Sequence, residues 1–316
     1  MKKFDSYFDT PAGEDEEISN SFRGKKGNTH IHHILPKDGK HYSKSFGYEW
    51  NNFEDTQIDR QNGTKATLKH LEMMLKKPIK TLLGKTILEV GSGAGRYTDY
   101  FVDYAKEVVT VDPSSAIYSN AALGAPNLLA VHGDLFDLSV KKGVFDIVYC
   151  RGVIQHTYNP QLAIWQLYSY VKEGGDVIFD VYAKSWRNFF YTYYYFRPFT
   201  KKLNRETFHN FLKRVIPPLL WFKMNILNRL FPNIRYIKDI PDIILPIFDY
   251  SRLMPGMTFK ANVEWAILNC LDAYTPEYDT PLTWNEIMGV ISHLPNHKVV
   301  FADQDMFRFR IQKLKR

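Results

Sequence analysis

ILEVGSGAGR, residues 87–96, joins an apolar run to a glycine-paved bend and sets one carboxylate, Glu89, just before that bend. Glycines at alternate positions, Gly91, Gly93 and Gly95, let the backbone turn sharply and approach a ligand more closely than side chains would permit. A strand, such a turn and then a helix make a nucleotide-type pocket, and the charged residues around the glycines decide which nucleotide it suits.

A dinucleotide site uses G-x-G-x-x-G and rests a pyrophosphate on the first amides of the helix. Here Arg96 stands where that fingerprint places its third glycine. Glu89 would face the pyrophosphate at close range, and like charges raise the cost of binding. A ligand with a cationic centre turns the same acid into an attraction. S-adenosyl-L-methionine, with its sulfonium and ammonium beside an adenosine, fits that requirement. A glycine-rich turn without any ligand is the competing reading of the motif alone.

Outward from this run, apolar segments at 85–90, 107–112, 127–132, 145–150 and 176–182 read as strands, with helical stretches at 96–104, 114–123 and 161–171 between them. The link between the third and fourth strands is too short for a firm helix. Strands alternating with crossover helices predict a doubly wound, mostly parallel sheet whose ligands lie beyond the carboxyl ends of the strands. Acids stand at three successive strand ends. Glu89 ends the first. Asp112, followed by Pro113, ends the second, 23 residues after Glu89, where a carboxylate can accept both hydroxyls of a ribose. Asp134 and Leu135 follow the third, the acid placed to accept from an adenine amino group and the leucine to cover its ring. Arg151 follows the fourth. Each acid taken singly is also a plausible helix cap or loop residue.

The series EVGSGAGR, VTVDPS, GDLFDL, FDIVYCRGVIQHT and VKEGGDVIF resembles the ordered motifs of class I S-adenosylmethionine-dependent methyltransferases, and the resemblance covers about residues 45–182. The resemblance implies that Glu89, Gly91 and Gly93 hold the methionine part, that Asp112 binds the ribose and that Asp134 and Leu135 frame the adenine, with Ser92, Gly95, Pro113 and Arg151 also expected among the cofactor-binding residues. FGYEW, with Gln57 after it, is similar to a cap that closes over the cofactor in one subgroup, which implicates Tyr48, Trp50 and Gln57; a packed aromatic turn is the alternative. VIQHT departs from the family's V-L-H-H-T by Gln155, so no catalytic role transfers to that position. Candidate bases near the strand ends are His156, Asp180 and Tyr182, with Glu49 in the cap, and for each a purely structural role competes.

The resemblance also orders the C-terminus. Thr283 with Glu286 reads as a capping box opening a helix, and strands at 298–302 and 307–312 would complete a seven-stranded sheet, the last strand antiparallel. The expected organisation is an irregular N-terminal arm over 1–45, a capped methyltransferase core over 46–183, a helical insertion over 184–280 and a C-terminal helix and hairpin over 281–316. His30, His32, His33 and His41 in the arm lack acidic or cysteine partners at ligand spacing and read as solvated side chains, with no metal site.

Of 48 aromatic residues, 18 fall within 184–260, where 14 Lys and Arg face 4 Asp and Glu, a surplus of ten in a chain whose net charge is +7. Following the fifth strand, this segment is expected to act as a substrate lid. Pro217 and Pro218 should start a helix in which Asn225, Asn228 and Arg229 form a polar stripe. An aromatic core, an interface for a lipid-like acceptor and a nucleic-acid surface compete for the aromatics, the last being disfavoured. Two cysteines and no long apolar stretch predict a cytoplasmic protein, with peripheral membrane contact open to the basic insertion. The expected activity is O- or N-methylation of a small or lipid-linked acceptor. A non-catalytic cofactor-binding protein and a dinucleotide-dependent oxidoreductase are the alternatives.

Overall fold

The computed structural model describes residues 4–8, 14–22, 25–34, 58–63, 65–184, 192–231, 240–252 and 256–316. Among the described residues nine strands form one sheet: β1 (Glu14–Phe22), β2 (Lys25–His33), β3 (Thr86–Val90), β4 (Glu107–Asp112), β5 (Leu128–His132), β6 (Phe145–Cys150), β7 (Val171–Asp180), β8 (His297–Asp303) and β9 (Arg308–Lys313). Their order is β1-β2-β5-β4-β3-β6-β7-β9-β8. β5, β4, β3, β6 and β7 are mutually parallel, and β9 runs antiparallel to both β7 and β8. The seven strands β3 to β9 thus have the expected Rossmann-like methyltransferase arrangement. Reversal of strand order on either side of β3 opens the crevice where such sheets bind ligands.

Alternation along the strands fills both faces, as a sheet covered on both sides requires. Leu88, Val90, Val109, Val111, Val148, Val177 and Phe179 enter one core with the helices Pro160–Tyr170 and Trp284–Ser292. Ile87, Val108, Leu128, Ile147, Tyr149 and Ile178 enter the other, with Leu71, Met74, Phe101 and Val102 from the helices Ala66–Leu75 and Thr98–Tyr104. The capping box is present: Glu286 N donates to Thr283 Oγ1 at 3.2 Å while Thr283 N donates to Glu286 Oε2 at 2.7 Å.

The N-terminal arm requires correction. Residues expected to be irregular form the β1–β2 hairpin, and β2 joins β5 in parallel through pairs such as Ile31 with Ala130. Ile31 is fully buried against Ile117, Ala121 and Ala130. Neither is His32 solvated: it is 2% exposed, its ring 4.6 Å from that of Phe8. His41 lies outside the described residues. The reason is the open edge of β5, whose backbone donors and acceptors accept any strand that reaches them, whatever its side-chain pattern.

Residues Ser185–Glu277 form a second compact unit, the first comprising Met1–Lys184 and Tyr278–Arg316. Within the second unit the helices Arg205–Phe222 and Phe259–Tyr274 pack through Phe208, Leu212, Ile216 and Leu220 on one and Trp265, Ala266 and Leu268 on the other. Pro217 and Pro218 do not start a helix; they lie inside Arg205–Phe222. The carbonyls these prolines leave without helical donors belong to Lys213 and Arg214, both exposed, so water can satisfy them. The helix then widens into a π-turn, Lys223–Leu227. There the buried Lys223 ammonium meets Asp242 Oδ1 at 2.5 Å, Leu245 O at 3.0 Å and Ile247 O. The polar stripe is also corrected, because Asn228 turns inward and donates to Asp249 Oδ2 at 3.1 Å.

Candidate functional site

Sequence closes the glycine bend onto the neighbouring strand. Gly91 N donates to Val111 O at 2.7 Å and Gly93 N to Asp112 Oδ2 at 2.8 Å, so the end of β4 fixes the shape of the turn after β3. Gly91, Gly93 and Gly95 have φ of 72°, 53° and 99°, in the region that favours glycine. At Gly91 a Cβ would lie 2.1 Å from Val153 Cγ2. Asp112 Oδ1 also accepts from Ser114 N at 2.8 Å and Ser114 Oγ at 2.6 Å. With three donors on a carboxylate that offers about four lone-pair sites, one direction is left for a ligand hydroxyl, where the sequence suggested two. Asp112→Ala is expected to weaken S-adenosylhomocysteine binding by about 1–3 kcal/mol by calorimetry. Unchanged affinity would remove Asp112 from the site.

Glu89 is 2% exposed, and its Oε2 accepts from Thr98 Oγ1 at 2.6 Å, which in turn accepts from Asn120 Nδ2 at 2.9 Å. Burial pushes its carboxyl up to about 8; the Thr98 hydroxyl opposes the shift and the nearby Asp112 adds to it. Burial raises Asp112 as well, against the hydrogen bonds from Ser114 and Gly93. Two buried acids beside a turn that brings backbone close to a ligand favour a cation, because a cation stabilises the ionised forms that burial disfavours. The residues present therefore fit S-adenosyl-L-methionine: Glu89 for its cationic end, Asp112 for the ribose, and the turn from Gly91 to Gly95 between them, with the buried Ser92 hydroxyl lacking a protein partner.

Asp134 is 8% exposed, and its Oδ1 accepts from Phe136 N at 2.8 Å, the capping role weighed from sequence; Leu135 is buried beside it. The Pro113 carbonyl lies 3.3 Å from His132 Nε2. Asp180 anchors the loop after β6: Oδ1 accepts from Gly152 N at 2.6 Å and Oδ2 lies 3.5 Å from Arg151 Nε. Both oxygens are engaged, which disfavours it as a base. His156 is buried with Nδ1 3.0 Å from Tyr278 O, so Nδ1 carries the proton, and its ring meets that of Tyr182 edge-on at 5.5 Å. Tyr182 itself is 42% exposed. The structure thus unites the acids and glycines of the binding group but sets no two of the three candidate bases in a proton relay. Tyr48, Glu49, Trp50 and Gln57 lie outside the described residues. Thr98 and Asn120 were missed, because a threonine and an asparagine inside helices carry no local mark of a hydrogen bond to a distant acid.

A family model described as a methyltransferase domain matches residues 61–236. Among curated proteins, the chain is similar to a ubiquinone biosynthesis O-methyltransferase of Coxiella burnetii, 27% identical across 40% of this chain and 53% of that one. It is also similar to phosphoethanolamine N-methyltransferase 3 of Arabidopsis thaliana, 28% identical across 39% of this chain and 25% of the other. The chain therefore spans about half the length of the first relative and a quarter of the second. Among solved structures, the phosphoethanolamine N-methyltransferase 1 of Haemonchus contortus, in complex with phosphoethanolamine and S-adenosylhomocysteine, matches with TM-score 0.35 and 17% identity over 45% of this chain and 32% of that one. With the family model covering more than half of the chain, and with the sheet order and the buried acids as described, this chain belongs to the methyltransferase-domain family, the class I proteins that use S-adenosyl-L-methionine.

Proposed function

We propose that the protein is an active methyltransferase that delivers the methyl group to an oxygen or nitrogen of a small or lipid-linked acceptor, working in the cytoplasm at a membrane surface. S-adenosyl-L-methionine supplies the electrophilic methyl when bound. Glu89, Asp112 and the glycine turn hold and orient it, and orientation is where much of the acceleration of a methyl transfer originates. No single described residue is required as a proton acceptor by this reading.

One observation carries the acceptor class. The helix Arg205–Phe222 buries Phe208, Leu212, Ile216 and Leu220 on one side, yet Phe211, Trp221 and Phe222 on the opposite side are 53%, 54% and 43% exposed, interspersed with the exposed Arg214 and Pro218. In the neighbouring helix Thr192–Thr200, Tyr195, Phe196 and Phe199 are 60%, 56% and 72% exposed, and Lys202 follows. Aromatic rings projecting outward beside cations suit the boundary between headgroups and acyl chains better than bulk water. The names of the relatives, an O-methyltransferase of ubiquinone biosynthesis and a phosphoethanolamine N-methyltransferase, are compatible with such an acceptor. No helix among the described residues is long and apolar enough to cross a membrane. A nucleic-acid partner is disfavoured, since stacking platforms need aromatics lined along a groove rather than around the outside of a helix.

Sedimentation with vesicles tests this. The protein is expected to bind vesicles containing anionic lipid, and Lys202→Glu combined with Arg214→Glu to lower that binding by about tenfold or more, from roughly 1 kcal/mol per cation. Equal recovery with and without vesicles, together with methyl transfer to water-soluble compounds alone in a cell extract, would refute the lipid-linked acceptor.

A further inference from the structure

Beyond the glycine turn, the rim at the carboxyl ends of the parallel strands concentrates cations against one helix. Arg151 follows β6, Arg308 opens β9 opposite Asp180 at the end of β7, and Arg96 closes the glycine turn. All three reach the helix Ala66–Leu75. Arg96 Nε donates to Thr67 Oγ1 at 3.1 Å, Arg151 Nε to His70 Nε2 at 3.3 Å, and Arg308 Nη1 lies 2.8 Å from Met73 Sδ. Thr67, His70 and Met73 are spaced by three and form one ridge of that helix. Tyr97 ties the group together: its hydroxyl is 3.1 Å from His70 Nδ1, and its ring centre is 5.2 Å from the Arg96 guanidinium and 5.9 Å from that of Arg151.

The ridge supplies no negative charge in return. Because Arg151 donates to Nε2, the proton of His70 sits on Nδ1, and burial together with Arg151, Arg96 and Arg308 pushes the imidazole down to about 2, so it stays neutral. Asp180 is the carboxylate facing Arg151, at 3.5 Å, and it already serves Gly152 N. Arg308 is 8% exposed, and among the described residues no carboxylate forms an ion pair with it; its polar contact is a thioether sulfur, a weak acceptor. A guanidinium withdrawn from water without an anion is costly, and its planar fork matches the two oxygens of a carboxylate or phosphate.

We propose that Arg151 and Arg308, which contact successive positions of one helical ridge at His70 and Met73, form an oxyanion site for a carboxylate or phosphate carried by a bound ligand. Two sources share that chemistry: the amino-acid carboxylate of the cofactor, and an acidic group on the acceptor. The first source rests on the cofactor assignment, whereas the second does not.

The full chain and Arg308→Met distinguish them. S-adenosylhomocysteine carries the carboxylate and 5′-methylthioadenosine lacks it. If the cofactor fills the site, the substitution weakens S-adenosylhomocysteine by about 10- to 100-fold, the loss of a charge-assisted pair, and leaves 5′-methylthioadenosine within about twofold. If the acceptor fills it, both nucleosides bind as in wild type, while inorganic phosphate raises the melting temperature of the wild-type protein and not of Arg308→Met. Without ligand, Arg308→Met is expected to melt at or above the wild-type temperature, because an unpaired buried cation has been replaced by an apolar side chain. Equal weakening of both nucleosides, or identical responses of the two proteins to both nucleosides and to phosphate, would overturn the site. Wild-type protein that binds neither nucleoside contradicts the cofactor assignment, and the phosphate comparison then decides the site alone.

Discussion

Gly91→Ala is expected to destabilise the protein by about 3 kcal/mol or more and to abolish measurable cofactor binding. Two costs combine. A φ of 72° places an L-residue in the left-handed region, at about 1–2 kcal/mol. The new Cβ would also lie 2.1 Å from Val153 Cγ2 and 3.0 Å from Val153 Cβ, and a β-branched side chain has little rotamer freedom with which to retreat. Moving the turn instead would break Gly91 N to Val111 O and Gly93 N to Asp112 Oδ2, the bonds that shape the pocket. Denaturant unfolding of Gly91→Ala, Val153→Ala and the double variant separates the costs. The double variant should recover part of the loss, and purely additive destabilisation would refute the steric contribution.

Glu89→Gln is expected to lower S-adenosyl-L-methionine affinity by about 10- to 100-fold near neutral pH and to remove its pH dependence. In the free protein the Glu89 carboxyl titrates near 8 because it is buried. A cation stabilises the ionised form, so binding releases a proton, and wild-type affinity should rise with pH, by up to about tenfold per unit between about pH 6 and 7.5. Stability moves the other way. The folded-state value lies above the ordinary carboxyl value of 4.5, so the folded chain holds a proton that the unfolded chain gives up, and unfolding free energy falls as pH rises from 4.5 to about 8. Calorimetry in buffers of differing ionisation enthalpy measures the released proton directly. Glu89→Gln should release none, and a flat wild-type affinity over that range would show that Glu89 does not meet the cation.

The parts of this fold that could be read from the chain are those whose causes are local or periodic. β3 to β7 announce themselves as apolar runs because both faces are covered, and Glu89, Asp112 and Asp134 stand out because an acid at the end of such a run is conspicuous. The β1–β2 hairpin could not be read this way. EDEEISNSF has no apolar alternation, and it becomes a strand through its backbone pairing with β2, which in turn borrows the edge of β5. The helix through Pro217 and Pro218 was equally opaque, since its tolerance depends on two carbonyls being at exposed positions. Hardest of all was the arginine group, where Arg308 and Met73 are 235 positions apart and neither carries a motif.

The core residues that flank the Ser185–Glu277 unit in sequence are joined side by side: Leu282 N donates to Tyr182 O at 3.0 Å and Lys184 N to Leu282 O at 2.8 Å. A segment grafted between two points already held together imposes almost no loop-closure penalty on its host, whatever its length or sequence. The core therefore works as a socket. Exchange, enlargement or wholesale replacement of the inserted module is expected to leave the folding of its host almost unchanged, whatever the module does.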